Sequence, residues 1–469
     1  MLDFAIFAVT FVGALIVAVI YLYPSSRRPT TIPGLEPTSK EDGNLTDMAR
    51  AGSIHEFLLE LHKDYGPIAS FWMGEQFVVS IASPDLFKQH HNVFDRPPEL
   101  FKLFEPFWGL KSLQYANGAE GRRRRTLYDK AFSHEQTVQY CKQLDKTAGE
   151  LSKKWSTMIG EEHIPLGQYM AAFALKVILR TTFGGFFLDD KEIVAFGRHF
   201  DVCWSEMERR LTDTPDPNSH RQKAFDEALK SVKKSVTQAL NERRKHSDTS
   251  KDKQLLVDIL LENTKDDELL IADSLIYVIG GYHTVGNVLT WCFYFLAIHP
   301  DIQKEVYNEI RDVVGNSDVD AKKCEQLKYL KQVLDETMRC AVVSPWAARF
   351  QDFDSELGGH KIPKGTPVIH ALGVMLHDEK HWPSPKVFDP DRFSPDNVKE
   401  RPPLAFSPFG FAGKRLCPGQ KLAYSAVTVC VVTLLRKYSI KLVEGQVARA
   451  VYGLVTHPEE EVWITLDSR

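Results

Sequence analysis

"FSPFGFAGKRLCPGQ", Phe406–Gln420, decides how the rest of the chain is read. One cysteine, Cys417, stands two residues after Arg415, four after Gly413 and two before Gly419, in a segment rich in turn formers. Glycines let the backbone approach a flat group closely, backbone N–H groups can point at a sulfur, and the start of a helix favours a thiolate. The apolar run from Gln420 to about Tyr438 supplies that helix. A lone cysteine is most often a small buried hydrophobe. One set among glycines and two cations suits an axial thiolate ligand of haem iron.

Outward from this loop, 469 residues with 43% hydrophobic and 26% charged content give a globular protein with a sizeable core. A net charge of −4 leaves no footprint for nucleic acid, so none is expected as a partner. The seven cysteines are scattered singly, without the pairing of a disulfide framework or a zinc site, and read as reduced thiols. Phe4–Tyr23 is an uncharged run of about 20 residues, long enough to span a bilayer. Arg27 and Arg28 follow it, so by the positive-inside tendency the body faces the cytosol. The organisation expected is an anchor over 1–23, a proline-rich connector over 24–50 and one catalytic domain over 51–469.

Within the body, "HEFLLELHKDYG" has helical spacing, and "IASFWMGEQFVVSIASP" carries two β-rich runs around Gly74, predicting a hairpin. From about 135 to 345 the pattern is helical, broken at 212–220, near 245–255 and at 315–322. β-type segments return after Arg339, followed by a proline-rich stretch to about 408. The fold class is therefore mainly α with small β-sheets, α+β.

The order Gly-x-Arg-x-Cys-x-Gly after phenylalanine resembles the haem-binding loop of the cytochrome P450 superfamily, and the resemblance covers nearly the whole chain. "DETMR" resembles the family's Glu-x-x-Arg pair through Glu336 and Arg339, one helical turn apart. "FDPDRF" is similar to the meander motif, which makes Arg392 the third member of that structural network. The resemblance implies the P450 fold with an N-terminal transmembrane helix, haem b held by Cys417, and Arg415, Gly413, Gly419 and Phe409 around it.

Three departures accompany the match. In "GAEGRRRRTLYDKAFS" Arg125 takes the place of the family's propionate-binding arginine, but Gly121 stands where tryptophan is usual; Arg124 or Arg349 is then expected to share the load. In "VIGGYHTVG" Gly280, Gly281 and Thr284 match the distal helix, whereas His283 replaces the carboxylate of the proton-delivering pair. His283 is expected either to relay protons with Thr284 or to point away within the helix layer. Gly410 falls where an aromatic is usual, between Phe409 and Phe411, as if Ala412 were inserted. With "DGNL", "HEFL" and "WPSPKVFDPDRF", these features resemble the family 20 branch.

The implied activity is oxygen insertion from O2 into a small lipophilic substrate, at the endoplasmic reticulum membrane, with an external NADPH-dependent flavoprotein reductase as electron donor. The run Arg122–Arg125 is a candidate docking face for that donor. Phe101, Phe104, Phe107, Trp108 and Trp204 are candidate substrate contacts. Two other readings stay open at this point: a haem-thiolate isomerase or dehydratase, and a non-catalytic haem or ligand-binding protein with His283 near the iron.

Overall fold

The computed structural model describes residues 11–13, 29–211, 213–246 and 255–469. Apart from 11–13, the expected anchor lies outside the described residues. The elements that build the site are, in chain order, helix α1 (Ile54–Tyr65), strands β1 (Ile68–Met73) and β2 (Gln76–Ile81), and helices α2 (Gly118–Tyr128), α3 (His134–Ser156) and α4 (Leu166–Phe183). There follow α5 (Asp190–Arg209), α6 (His220–His246), α7 (Asp267–Gly281), α8 (His283–Ile298) and α9 (Lys328–Ala341). The last are β3 (Ala347–Arg349), β4 (Val368–His370) and α10 (Gln420–Leu435).

The hairpin forms as the sequence predicts, with Val78 opposite Phe71 and Gly74 in the left-handed region at the turn. β2 then pairs parallel to β4, and β4 antiparallel to β3, giving the order β1-β2-β4-β3. β1 and β2 read as nearly continuous apolar runs because a helix or loop covers each face of the sheet. Ile68, Phe77, Val79 and Phe87 pack on one side, and Phe57, Leu61, Phe71 and Val78 on the other. Residues 32–50, expected to be connector, belong to the body instead. Ile32 is buried, Leu35 N–H donates to Ser70 O and Asn44 N–H to Trp72 O, because the proline-stiffened chain lies along the edge of β1.

The main core is helical, and α3, α4, α8 and α10 contribute most of it. α7 begins where the Asp266 carboxylate accepts from the Glu268 and Leu269 N–H groups, the usual remedy for unpaired donors at a helix start. Asp267–Ile298 is the one run among the described residues long and apolar enough to cross a membrane, and it lies mostly buried inside the protein. It is not straight. Tyr282 has φ −81° and ψ −77°, which separates α7 from α8, and Thr284 Oγ donates to Gly280 O at 2.6 Å across the break. A hydroxyl that bonds back to the preceding turn competes with the helix ladder and bends it.

Candidate active site

A cavity of about 440 Å³ lies between the broken distal helix, α2, α9, β3 and the loop of Cys417. The loop is built to present that cysteine. Cys417 N–H donates to Phe409 O at 3.1 Å, closing a turn in which Gly410 takes φ +78° and Gly413 φ +48°, both left-handed. A side chain at Gly410 would be strained there, so the extra residue is absorbed at a glycine. Phe409 lines the cavity, while Phe411 leaves it and stacks on Phe87 at 4.3 Å. The aromatic place thus falls to Phe409, one position earlier than usual.

The Cys417 residue is exposed where it lines the cavity. Burial pushes it up, against the Gly419 N–H and the Arg125 and Arg96 charges, which favour the thiolate. Gly419 is also the cap of α10, so the positive end of that 16-residue helix adds to the same side.

Four guanidiniums, Arg96, Arg125, Arg349 and Arg415, line one end of the cavity. Arg415 is pushed down to about 7, first by burial and then by the Arg96, Arg349 and Arg125 charges, and Arg349 is pushed far down by burial, then by Arg96 and Arg125. Asp129 pairs with Arg125 at 2.9 Å, and Arg125 Nη2 also holds Leu416 O at 2.6 Å. The Nε atoms of Arg349 and Arg415 are buried without partners. Four converging cations with spare donors call for an anion, since an unpaired buried charge is costly. A flat macrocycle with two carboxylates at this end, an open thiol below and apolar walls from Leu334, Met338, Leu422, Ala426 and Val427 fits the residues present.

Arg96 is the residue that sequence reasoning missed. Arg124 does not share the load: its guanidinium is committed to Asp273 and to Lys111 O. Arg122 and Arg123 face solvent, so the run offers two exposed cations rather than four. Gly121 cannot carry a side chain, because an added Cβ would lie 2.7 Å from the Ala116 carbonyl carbon and 3.0 Å from Phe94 Cε1.

Thr284, Gly280 and Gly281 line the cavity, but His283 does not. Its ring stacks on Trp204 at 4.4 Å, Nε2 stands 3.7 Å from Asp201 Oδ1, and burial pushes it down to about 3. A proton relay through His283 into the cavity therefore has no geometric support, because the break at Tyr282 turns the ring toward α5. Phe101, Trp108 and Trp204 line the cavity; Phe104 stacks behind Trp108 at 4.6 Å, and Phe107 meets Phe200 edge-on.

Beside the cavity, Glu336 and Arg339 are both fully buried. Their paired bonds are 2.7 and 2.8 Å. Arg392 Nε stands 3.4 Å from Glu336 Oε1, and Asp389 N–H donates to the same oxygen at 2.9 Å. Arg339 further holds the carbonyls of Leu376, Pro385 and Val387. One ion pair thereby fixes the irregular chain leading to the cysteine loop.

Comparison with known proteins agrees with this geometry. A family model described as Cytochrome P450 matches residues 33–464. The chain is 38% identical over 475 residues to Cytochrome P450 20A1 of Homo sapiens and 40% identical over 475 residues to that of Rattus norvegicus, covering 100% of both chains in each case. It is 25% identical over 449 residues to Cytochrome P450 4V2 of Homo sapiens, covering 88% of this chain and 85% of that protein.

Proposed function

The chain belongs to the cytochrome P450 family, whose members bind haem b through a cysteine thiolate and are generally monooxygenases, and from that premise we propose a monooxygenase acting on a lipophilic substrate. The observation that carries the reading is Cys417, open to a buried cavity with four guanidiniums at one end and Thr284 above. Cys417 would hold the haem iron, with Arg96, Arg125, Arg349 and Arg415 holding the propionates. Haem, when bound, supplies dioxygen binding and activation.

The chain's own residues then set access and protons. Phe101, Phe132, Ile276 and Val285 give the cavity apolar walls that exclude water and favour an apolar substrate. The Thr284 hydroxyl, held on Gly280 O at the helix break, can exchange its proton at Oγ with a group in the cavity. Glu336, Arg339 and Arg392 keep the cysteine loop in place. His283 contributes by packing on Trp204, which also disfavours an iron-binding role for it.

In this proposal residues 1–23 anchor the protein in the endoplasmic reticulum membrane in a single pass, and the body faces the cytosol. A separate NADPH-dependent reductase docks near Arg122 and Arg123. The dithionite-reduced, CO-bound difference spectrum tests the core of the reading. A far-red Soret band is expected; a shorter-wavelength band, or no haem, overturns it. Substrate-dependent NADPH oxidation with reductase then separates oxygenation from isomerase chemistry and from ligand carriage.

A further inference from the structure

With Gly121 in place of an indole, one donor to the propionate end is lost, and the loop 112–117 occupies the vacated space. Four anchors fix the loop. Leu113 N–H donates to Asp273 Oδ1 at 2.7 Å, Leu113 O and Ala116 O both accept from Arg415, and Tyr115 OH donates to Phe101 O at 2.7 Å. Asn117 and Arg96 exchange a pair of bonds at 2.8 and 2.9 Å. In the middle of this loop Gln114 is 8% exposed and lines the cavity at the arginine end. Its Oε1 accepts from Arg96 Nη1. A guanidinium can only donate, so the amide orientation is fixed, and the NH2 group is the prong left for a ligand.

We propose that Gln114 is a fifth polar contact to the anionic edge of the haem, its amide NH2 donating to a propionate in place of the missing indole. This inference rests on the haem reading of the site. It also explains why the loop is held so firmly: a donor is useful only when its position is set before the ligand arrives.

The test is haem transfer from the full-length holoprotein to excess apomyoglobin, followed in the Soret region, with resonance Raman spectra of the propionate bending mode. Gln114→Leu is expected to lose haem about 10- to 100-fold faster, the range for one hydrogen bond to a charged group. Gln114→Glu keeps a partner for Arg96 but turns an acceptor toward the propionate. It too is expected to lose haem faster and to shift the bending band. If Gln114 only positions Arg96, Gln114→Glu holds haem as well as the parent protein and the band stays, which overturns the proposal. Should Gln114→Leu fail to fold by circular dichroism, the Glu variant alone decides. A parent protein without any Soret band refutes the haem reading itself, a result distinct from an unaffected variant.

Discussion

Lowering the pH from 7 to 5.5 is expected to remove a large part of this protein's folding stability. Six imidazoles carry most of the effect: His55, His62, His90, His283, His370 and His377. Burial is the first cause in each. His55 and His283 are pushed down to about 3, His62, His90 and His377 to about 4, and His370 far below its usual value. An unfolded histidine titrates near 6.5. Between these limits the unfolded chain binds protons that the folded chain refuses. Stability is therefore intact above about pH 7 and lost as pH falls through about 6.5. Over the interval the loss is a little over ~1 kcal/mol per histidine, roughly 7 kcal/mol for the six.

Buried carboxyls oppose it. Asp273 is fully buried and is raised to about 6, chiefly by that burial, so the folded state takes up its proton first, and burial raises Asp129, Glu208 and Asp335 in the same sense. Asp273 returns about 1 kcal/mol between pH 7 and 5.5, and with the other raised carboxyls the net loss is a few kcal/mol against a typical total of about 5–15 kcal/mol. Urea unfolding of the haem-loaded protein, followed by tryptophan fluorescence at fixed ionic strength, reads the change. An unfolding midpoint that stays constant from pH 7.5 to 5.5 would refute the reasoning. His55 isolates one proton: it is fully buried, neither ring nitrogen has a partner, and Tyr452 lies 4.5 Å from its ring. His55→Phe should flatten the dependence by about 1.4 kcal/mol per pH unit below pH 6.

The other expectations concern the site. Cys417→Ser should abolish the far-red CO Soret band while circular dichroism stays helical. Glu336→Gln leaves Arg339 buried without its countercharge and should cost about 3–5 kcal/mol, seen as a lowered unfolding midpoint and poor haem incorporation. Gly410→Ala forces a left-handed residue to carry a Cβ, at about 1–2 kcal/mol, and should speed haem loss without changing the Soret position. His283→Phe keeps a ring on Trp204 and should leave the pH profile of reductase-driven NADPH oxidation unmoved; a profile shifted by more than half a unit would restore His283 to the proton path.

What could be read from the sequence was local. The cysteine loop, the Glu336–Arg339 turn and the hairpin at Gly74 are each specified within a few residues, where turn chemistry and helical spacing act directly. Arg96 was hidden because nothing around it in "FDRPPE" distinguishes it from a surface cation. Only the fold brings it to Arg415. His283 stayed open between a proton relay and a place within the helix layer, because at 100° per residue a straight helix puts it about 60° from Gly280 and so on the cavity side. The break at Tyr282 removes that premise. The C-terminal strands Tyr438–Leu442, Ala450–Tyr452, Thr456–Pro458 and Trp463–Ser468 are mostly too short to give a period, and went unread. Connector residues 32–50 were misjudged because proline content reports stiffness, not whether a stiff segment finds a surface to lie on.

The long apolar pair α7–α8 has a consequence for synthesis. It leaves the ribosome well before α10, one of the helices that bury it. At about 5–20 residues per second, translating the intervening chain takes on the order of ten seconds. During that time a membrane-competent stretch stands beside the translocation machinery of any membrane on which the protein is made. Asp273 in its first third and His283 near its middle raise the cost of inserting it, as charged and polar groups within a span do. The buried acid that pairs with Arg124 in the finished protein thus also makes the unfinished stretch costlier to insert.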